Sequence, residues 1–302
     1  MANEEEKKEK SRVSIPVAAA AGTIAVLYGI YRFGFYSPLT RQNVGPGNLL
    51  PATTPEQEKL NNELIERMAL KPFESVSTFS YDDLSLFGRY YHTADNAPLA
   101  ILFHGYRGDP GKDYCCAADI CFSLGYNVLL VFERAHGCSG GNTITFGVKE
   151  RYDVLSWVNY AVKRFGKDVK IILGGISMGG GTVLMSSDLN LPHNVKGIVA
   201  DCPFSSPSEV IVQFGRARRI PGIITYPLTA LSTRLFGGFS LGSTDAVTAV
   251  NKAQVPILIL HGEADTHVPP EMSLKIYEAN SELIERHTFP GAGHADFYLR
   301  EP

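Results

Sequence analysis

The 302-residue chain is 44% apolar and 20% charged, with a formal net charge of −3, a balance that suits an α/β domain folding as one unit. That balance gives no electrostatic footprint for nucleic acid, which would need a basic domain or stripe, and argues against that class of partner. Its five cysteines are scattered and odd in number, so they make no disulfide framework and free thiols are expected.

Residues 1–12, MANEEEKKEKSR, are a solvated polar tail. Residues 13–36, VSIPVAAAAGTIAVLYGIYRFGFY, carry no charge from Val13 to Tyr31, and about 20 such residues suffice to span a bilayer as a helix. The run lacks the polar face of a core helix. It ends in aromatics resembling an interfacial belt rather than in a small-x-small cleavage site. A single-pass transmembrane helix in the cell membrane is therefore expected. Lys7, Lys8, Lys10 and Arg12 precede the run while only Arg32 and Arg41 follow closely, a bias that places the domain on the outer, extracellular side.

Residues 37–55 carry four prolines and read as a linker. Thr54 and Pro55 cap a helix from Glu56 to about Leu70, with Leu60, Leu64, Ile65 and Met68 on one face. Residues 75–92 suggest an antiparallel pair turning near Asp82 and Asp83. Short apolar runs then alternate with helical stretches: strands at 99–105, 127–133, 169–175, 195–201 and 255–262, helices at about 113–124, 152–165 and 180–189. Such alternation implies a mostly parallel central sheet with helices on both faces. Residues 205–250 interrupt it with Gly- and Pro-broken helical pieces. They read as a small helical cap over the carboxyl end of the sheet, where ligands bind. The domain is thus expected over 56–302.

The stretch GGISMGGGT (174–182) places Ser177 in a G-x-S-x-G pattern between a strand and a helix. A serine on so sharp a turn leaves no room for side chains at Gly175 or Gly179. The helix start beside it offers N–H groups to a developing oxyanion. Neither a Walker lysine nor G-x-G-x-x-G is present, so no cofactor is expected. A serine hydroxyl needs a base and an orienting carboxylate to become a nucleophile. His294, in the glycine-rich loop PGAGHADFY after RHTFP, is the candidate base, and Asp265, in HGEADTHVP just beyond a strand, the candidate acid. The chain order Ser177, Asp265, His294 is that of the nucleophile-elbow triad. His104 and His261 close strands before a glycine and read as structural, while His92, His136, His193 and His287 read as ordinary polar positions. His261, Asp265 and His267 do not have the spacing of a metal site, and none is expected.

With LFHGYRGD, ERAHGCSGG, GGISMGGG, HGEADTHVP and PGAGHADF in hand, the chain resembles the α/β-hydrolase superfamily over roughly residues 75–300. More narrowly it resembles the serine aminopeptidase-like, monoacylglycerol-lipase-like branch, and membrane-anchored bacterial members are similar over the whole length. The resemblance implies an α/β-hydrolase fold, acyl transfer at Ser177, and an oxyanion hole from the backbone N–H groups of Tyr106 and Met178. Phe132 and Ala135 depart from the family's Asp-x-Arg-Gly-His-Gly segment, a change expected to bear on packing rather than chemistry. An aminopeptidase would need carboxylates for a free ammonium, yet the only acids within 205–250 are Glu209 and Asp245. Carboxylic-ester hydrolysis of a small-molecule substrate is the expectation. The alternatives are an aminopeptidase or amidase on the same triad and a non-catalytic binding protein of the same fold. Phe214, Tyr226, Phe236 and Phe239 either line an acyl pocket or form the core of the cap.

Overall fold

Aliphatic runs too short for helices pair here into one sheet. The computed structural model describes residues 20–38 and 54–299. Its strands are β1 (Glu74–Phe79), β2 (Ser85–Tyr91), β3 (Leu99–Phe103), β4 (Asn127–Val131), β5 (Ile171–Ile176), β6 (Val195–Asp201), β7 (Ile257–Gly262) and β8 (Ile284–Phe289). They form one eight-stranded sheet in the order β1-β2-β4-β3-β5-β6-β7-β8. β2 pairs antiparallel with both β1 and β4, and the later pairings are parallel. The expected hairpin at 75–92 and the mostly parallel sheet are both present.

The helices are α1 (residues 20–34), α2 (Pro55–Leu70), α3 (Pro110–Asp113), α4 (Cys115–Ser123), α5 (Glu150–Phe165), α6 (Met178–Met185), α7 (Pro207–Ala217), α8 (Gly222–Ser232), α9 (Ala246–Val250) and α10 (Pro270–Ala279). Thr54 caps α2 as expected: its hydroxyl accepts from Gln57 N while the Gln57 side chain accepts from Thr54 N, a reciprocal pairing that satisfies two orphan donors. Alternate residues of β3 face opposite cores. Ile101 and Phe103 pack with Trp157 of α5, while Ala100 and Leu102 pack with Leu64 of α2 and Cys115 of α4. Helices therefore cover both faces, and the buried strands need no polar alternation. Helix α10, with Met272 and Ile276 buried four residues apart, was not among the expected elements.

The cap over 205–250 consists of α7, α8, a π-helical turn at Thr233–Gly237, and α9. Among the described residues no helix is long and apolar enough to cross a membrane. The transmembrane helix expected over 13–36 is thus without structural support, and its residues 13–19 lie outside the described residues, as do the tail 1–12 and most of the linker 37–55. The later part of that run instead packs on the domain. Leu27, Tyr31 and Phe35, four residues apart, are buried; the Ser232 hydroxyl donates to Leu27 O at 2.7 Å, and Phe236 meets both Tyr28 and Tyr31. The feature behind the expectation was real, because most other residues of α1 are apolar and exposed.

Candidate active site

Ser177 sits alone between β5 and α6, with φ 54° and ψ −111°, a left-handed backbone that few non-glycine residues adopt. Its N–H donates to Asp201 O at 2.8 Å, and its carbonyl accepts from Gly181 N at 3.0 Å. Close approach accounts for the flanking glycines. A Cβ at 179 would stand 1.8 Å from Phe103 O, and one at 175 would stand 2.1 Å from Gly179 O. The elbow is built from contacts that only glycine permits.

The other two sequence candidates arrive from the loops after β7 and β8. Those loops are tied together by Ala264 N donating to Ala292 O at 2.8 Å. His294 Nε2 lies 2.9 Å from Ser177 Oγ, and His294 Nδ1 lies 2.6 Å from Asp265 Oδ2. All three side chains are buried. Burial alone would raise the Asp265 carboxyl. Hydrogen bonding to His261 and His294, together with the His294 charge and the Val268 N–H, outweighs burial and holds it well below the usual carboxylate range. Asp265 Oδ1 accepts from His267 N at 2.8 Å and Val268 N at 2.9 Å. An ionised Asp265 therefore fixes a proton on His294 Nδ1 and leaves Nε2 to accept from Ser177.

Tyr106 and Met178 stand at the ends of neighbouring strands, since Phe103 of β3 pairs with Gly175 of β5. Met178 opens α6, where N–H groups point toward an incoming anion. The loop carrying Tyr106 is braced by Asp113, which sequence reasoning passed over, by His136, read there as an ordinary polar position, and by His104, read there as structural. Asp113 Oδ2 accepts from Gly105 N at 3.1 Å, and His136 Nε2 accepts from Arg107 N at 3.0 Å. His104 accepts from Glu133 N at 3.1 Å, and burial lowers its pKa to about 4. The Tyr106 ring stacks on Phe146 at 5.0 Å, and its hydroxyl donates to Gly34 O at 2.8 Å.

His136 is thus more than an ordinary polar position, and its signal was its place in the ERAHG segment. That segment does bear on packing, as expected: the Arg134 guanidinium is buried between Asp153 and Asp82 at 2.6–3.0 Å. Ala135 takes φ 61°, where the family's glycine has no steric cost. Through His136 the segment also reaches the Tyr106 loop.

The cap aromatics divide. Phe214 approaches Phe146 near the Tyr106 loop, Phe236 packs against Tyr28 of α1 and Phe239 against Phe35 just beyond it, and Tyr226 is exposed. A cleft of about 470 Å³ lined by Ser205, Glu209, Asp245 and Lys275 lies beside the cap and does not include Ser177. Among the described residues one cluster has metal-ligand composition: Cys202, Asp265 and His294 offer ligand atoms within 4.8 Å of one another. A metal held tetrahedrally, about 2.0 Å from nitrogen and oxygen and about 2.3 Å from sulfur, sets its ligand atoms about 3.3 Å or more apart and would part the 2.6 Å hydrogen bond between Asp265 and His294. The geometry fits a hydrogen-bonded Ser-His-Asp array better than a metal centre.

Comparison with known proteins agrees with the fold. The model of the family described as "alpha/beta hydrolase fold" matches residues 98–222, and that described as "Serine aminopeptidase, S33" matches residues 223–299. The chain is 27% identical over 219 residues to the uncharacterized protein YqkD of Bacillus subtilis, covering 72% of this chain and 70% of that protein. It is 27% identical over 207 residues to the lysophosphatidylserine lipase ABHD12 of Danio rerio, covering 63% of this chain and half, 50%, of that protein. Among solved structures, the Pyrococcus furiosus esterase Pf2001 superposes with a TM-score of 0.61 at 22% identity, over 76% of this chain and 85% of that one. By its sheet, its elbow and these matches, the chain belongs to the α/β-hydrolase superfamily.

Proposed function

We propose that the protein is a serine hydrolase that cleaves carboxylic esters through an acyl-enzyme. The observation that carries this reading is the unbroken hydrogen-bonded chain from Ser177 Oγ through His294 to Asp265. Ser177 Oγ attacks the ester carbonyl carbon as its proton passes to His294 Nε2, and the imidazolium formed is stabilised by Asp265. The carbonyl oxygen becomes an oxyanion facing the backbone N–H groups of Tyr106 and Met178, a stabilisation worth about 3–4 kcal/mol per donor. Collapse expels the alcohol with the His294 proton. Water, deprotonated by the same nitrogen, then releases the acid and restores Ser177.

The cap supports ester over aminopeptidase chemistry. Glu209 is already paired with Lys275 at 2.7 Å, and Asp245 caps α9 by accepting from Thr248 N at 2.6 Å. Neither of the cap's two acids is left to receive a free ammonium. Location at the cell membrane with the domain outside remains part of the proposal, on the Lys/Arg bias of the N-terminus; digestion by protease added to intact cells tests it, and protection refutes it. The test of the chemistry is Ser177→Ala. Turnover of a short-chain p-nitrophenyl ester is expected to fall to background with the fold intact by circular dichroism. Turnover equal to that of the unsubstituted protein overturns the proposal.

A further inference from the structure

Helix α8 is inside out for a water-facing helix. It buries Thr229 and Ser232, while Ile223 is 85% exposed and Leu231 45% exposed, with Leu235 just beyond its end at 60%. Helix α1, bound to the same cap through Leu27 and Tyr31, leaves Ile24 and Val26 more than half exposed and Phe33 72% exposed. Two adjoining elements thus present one apolar platform, whereas exposed apolar side chains on soluble surfaces are normally scattered.

Charge completes the pattern. From Val210 to Thr244 there is no acidic residue, against Arg216, Arg218, Arg219 and Arg234, all four of them exposed. A water-soluble protein partner would be expected to bring a bounded interface, whereas apolar side chains beside arginines without acids match a lipid surface of anionic headgroups over acyl chains. The chain preceding α1 continues the same chemistry, since residues 13–19 are uncharged and mostly apolar.

We propose that α8, the π-helical turn and the exposed face of α1 seat in the interface of an anionic bilayer. The Ile and Leu side chains enter the acyl boundary and the arginines meet the headgroups. The platform is bonded to the oxyanion loop, because α1 ends at Phe33 and Gly34, whose carbonyls accept from Arg107 at 2.5 Å and Tyr106 at 2.8 Å. Seating therefore places the candidate site at the lipid surface. The inference does not depend on ester chemistry or on an anchor.

The single tryptophan, Trp157, is buried in the core and supplies a silent background for a probe. The full chain carrying Ile223→Trp is mixed with phosphatidylglycerol–phosphatidylcholine vesicles whose acyl chains are brominated. Emission from residue 223 is expected to shift to the blue and to be quenched, while the unsubstituted protein shows neither change. Replacing Arg216, Arg218 and Arg219 with Ser is expected to weaken binding on the order of 100-fold at low salt, from about fivefold per arginine. No quenching at residue 223 overturns the proposal, whether or not the protein binds vesicles. Blue-shifted emission already present without vesicles also overturns it, because a second copy or another part of the chain then covers the face. Equal quenching on pure phosphatidylcholine refutes the role of the arginines. Turnover of the soluble p-nitrophenyl ester in the same samples is expected to be unchanged without lipid, so failure here is separable from failure of the hydrolase reading.

Discussion

Asp265→Asn is the most informative single substitution, because the structure dictates which way the new amide must face. At Asp265, Oδ1 accepts two backbone N–H groups, from His267 and Val268, and Oδ2 faces His294 Nδ1. An asparagine keeps both backbone bonds only with its oxygen at Oδ1, which turns its NH2 group toward His294. A donor there meets the Nδ1 proton, so the ring must hold its proton on Nε2 instead, 2.9 Å from Ser177 Oγ. In that tautomer Nε2 donates and cannot take the serine proton. The opposite amide orientation restores the useful tautomer but leaves two buried backbone donors unsatisfied, at about 1–3 kcal/mol each. A total of roughly 2–6 kcal/mol limits the competent population to between about 1 in 30 and 1 in 10⁴. Steady-state hydrolysis of p-nitrophenyl acetate should therefore show kcat reduced by about 30- to 10⁴-fold, with KM little changed and the fold retained. A kcat within about threefold of the unsubstituted protein would refute the reasoning, since His294 would then be oriented by something other than Asp265.

Gly179→Ala, which sets a methyl group 1.8 Å from Phe103 O, should cost roughly 3 kcal/mol in urea unfolding, at the upper end of overpacking effects. Gly180→Ala, whose nearest neighbour is Asp201 O at 3.0 Å, should cost about 1 kcal/mol, and equal losses would refute the elbow argument. Burial raises Asp201 from 3.8 to about 7, so the folded chain keeps a proton that the unfolded chain has released, and this contribution to stability, present at low pH, is lost as pH rises toward and past 7. Asp201→Asn should remove about 2–3 kcal/mol of the stability change between about pH 5 and 8, and an unaltered pH slope in urea titrations would show that this carboxyl is not protonated in the fold.

The sheet and the hydrogen-bonded grouping of Ser177, His294 and Asp265 were legible because each rests on local patterns. Apolar runs of strand length bounded by glycine marked β3, β5 and β7, and the spacing GISMG marked a tight turn, in which Gly175 meets Gly179 itself and Gly179 meets Phe103 O of β3. Asp265 and His294 were found because an acid and a base had to follow later strands of the same sheet. The bracing of the Tyr106 loop was not legible. Asp113 and His136 act through backbone N–H groups of Gly105 and Arg107, and which side chain reaches which N–H depends on loop conformation rather than on residue spacing.

The N-terminal run shows why hydropathy alone does not say what covers each side of a segment. Its lack of a polar face was read as a requirement for a hydrocarbon environment on every side. The structure divides it instead: Leu27, Tyr31 and Phe35 are buried by the domain, and Ile24, Val26 and Phe33 are not. A helix apolar all round needs apolar cover all round, but that cover need not be the same on each side. In α1 a protein cap supplies one face. The unpartnered face continues into α8, whose exposed Ile and Leu residues gave no helical-face signal in the sequence because the residues it buries are Thr229 and Ser232. Periodicity identifies a face only when water lies on the other side. Where the second side is also apolar, the pattern that reveals a helix is erased by the same residues that make its surface distinctive.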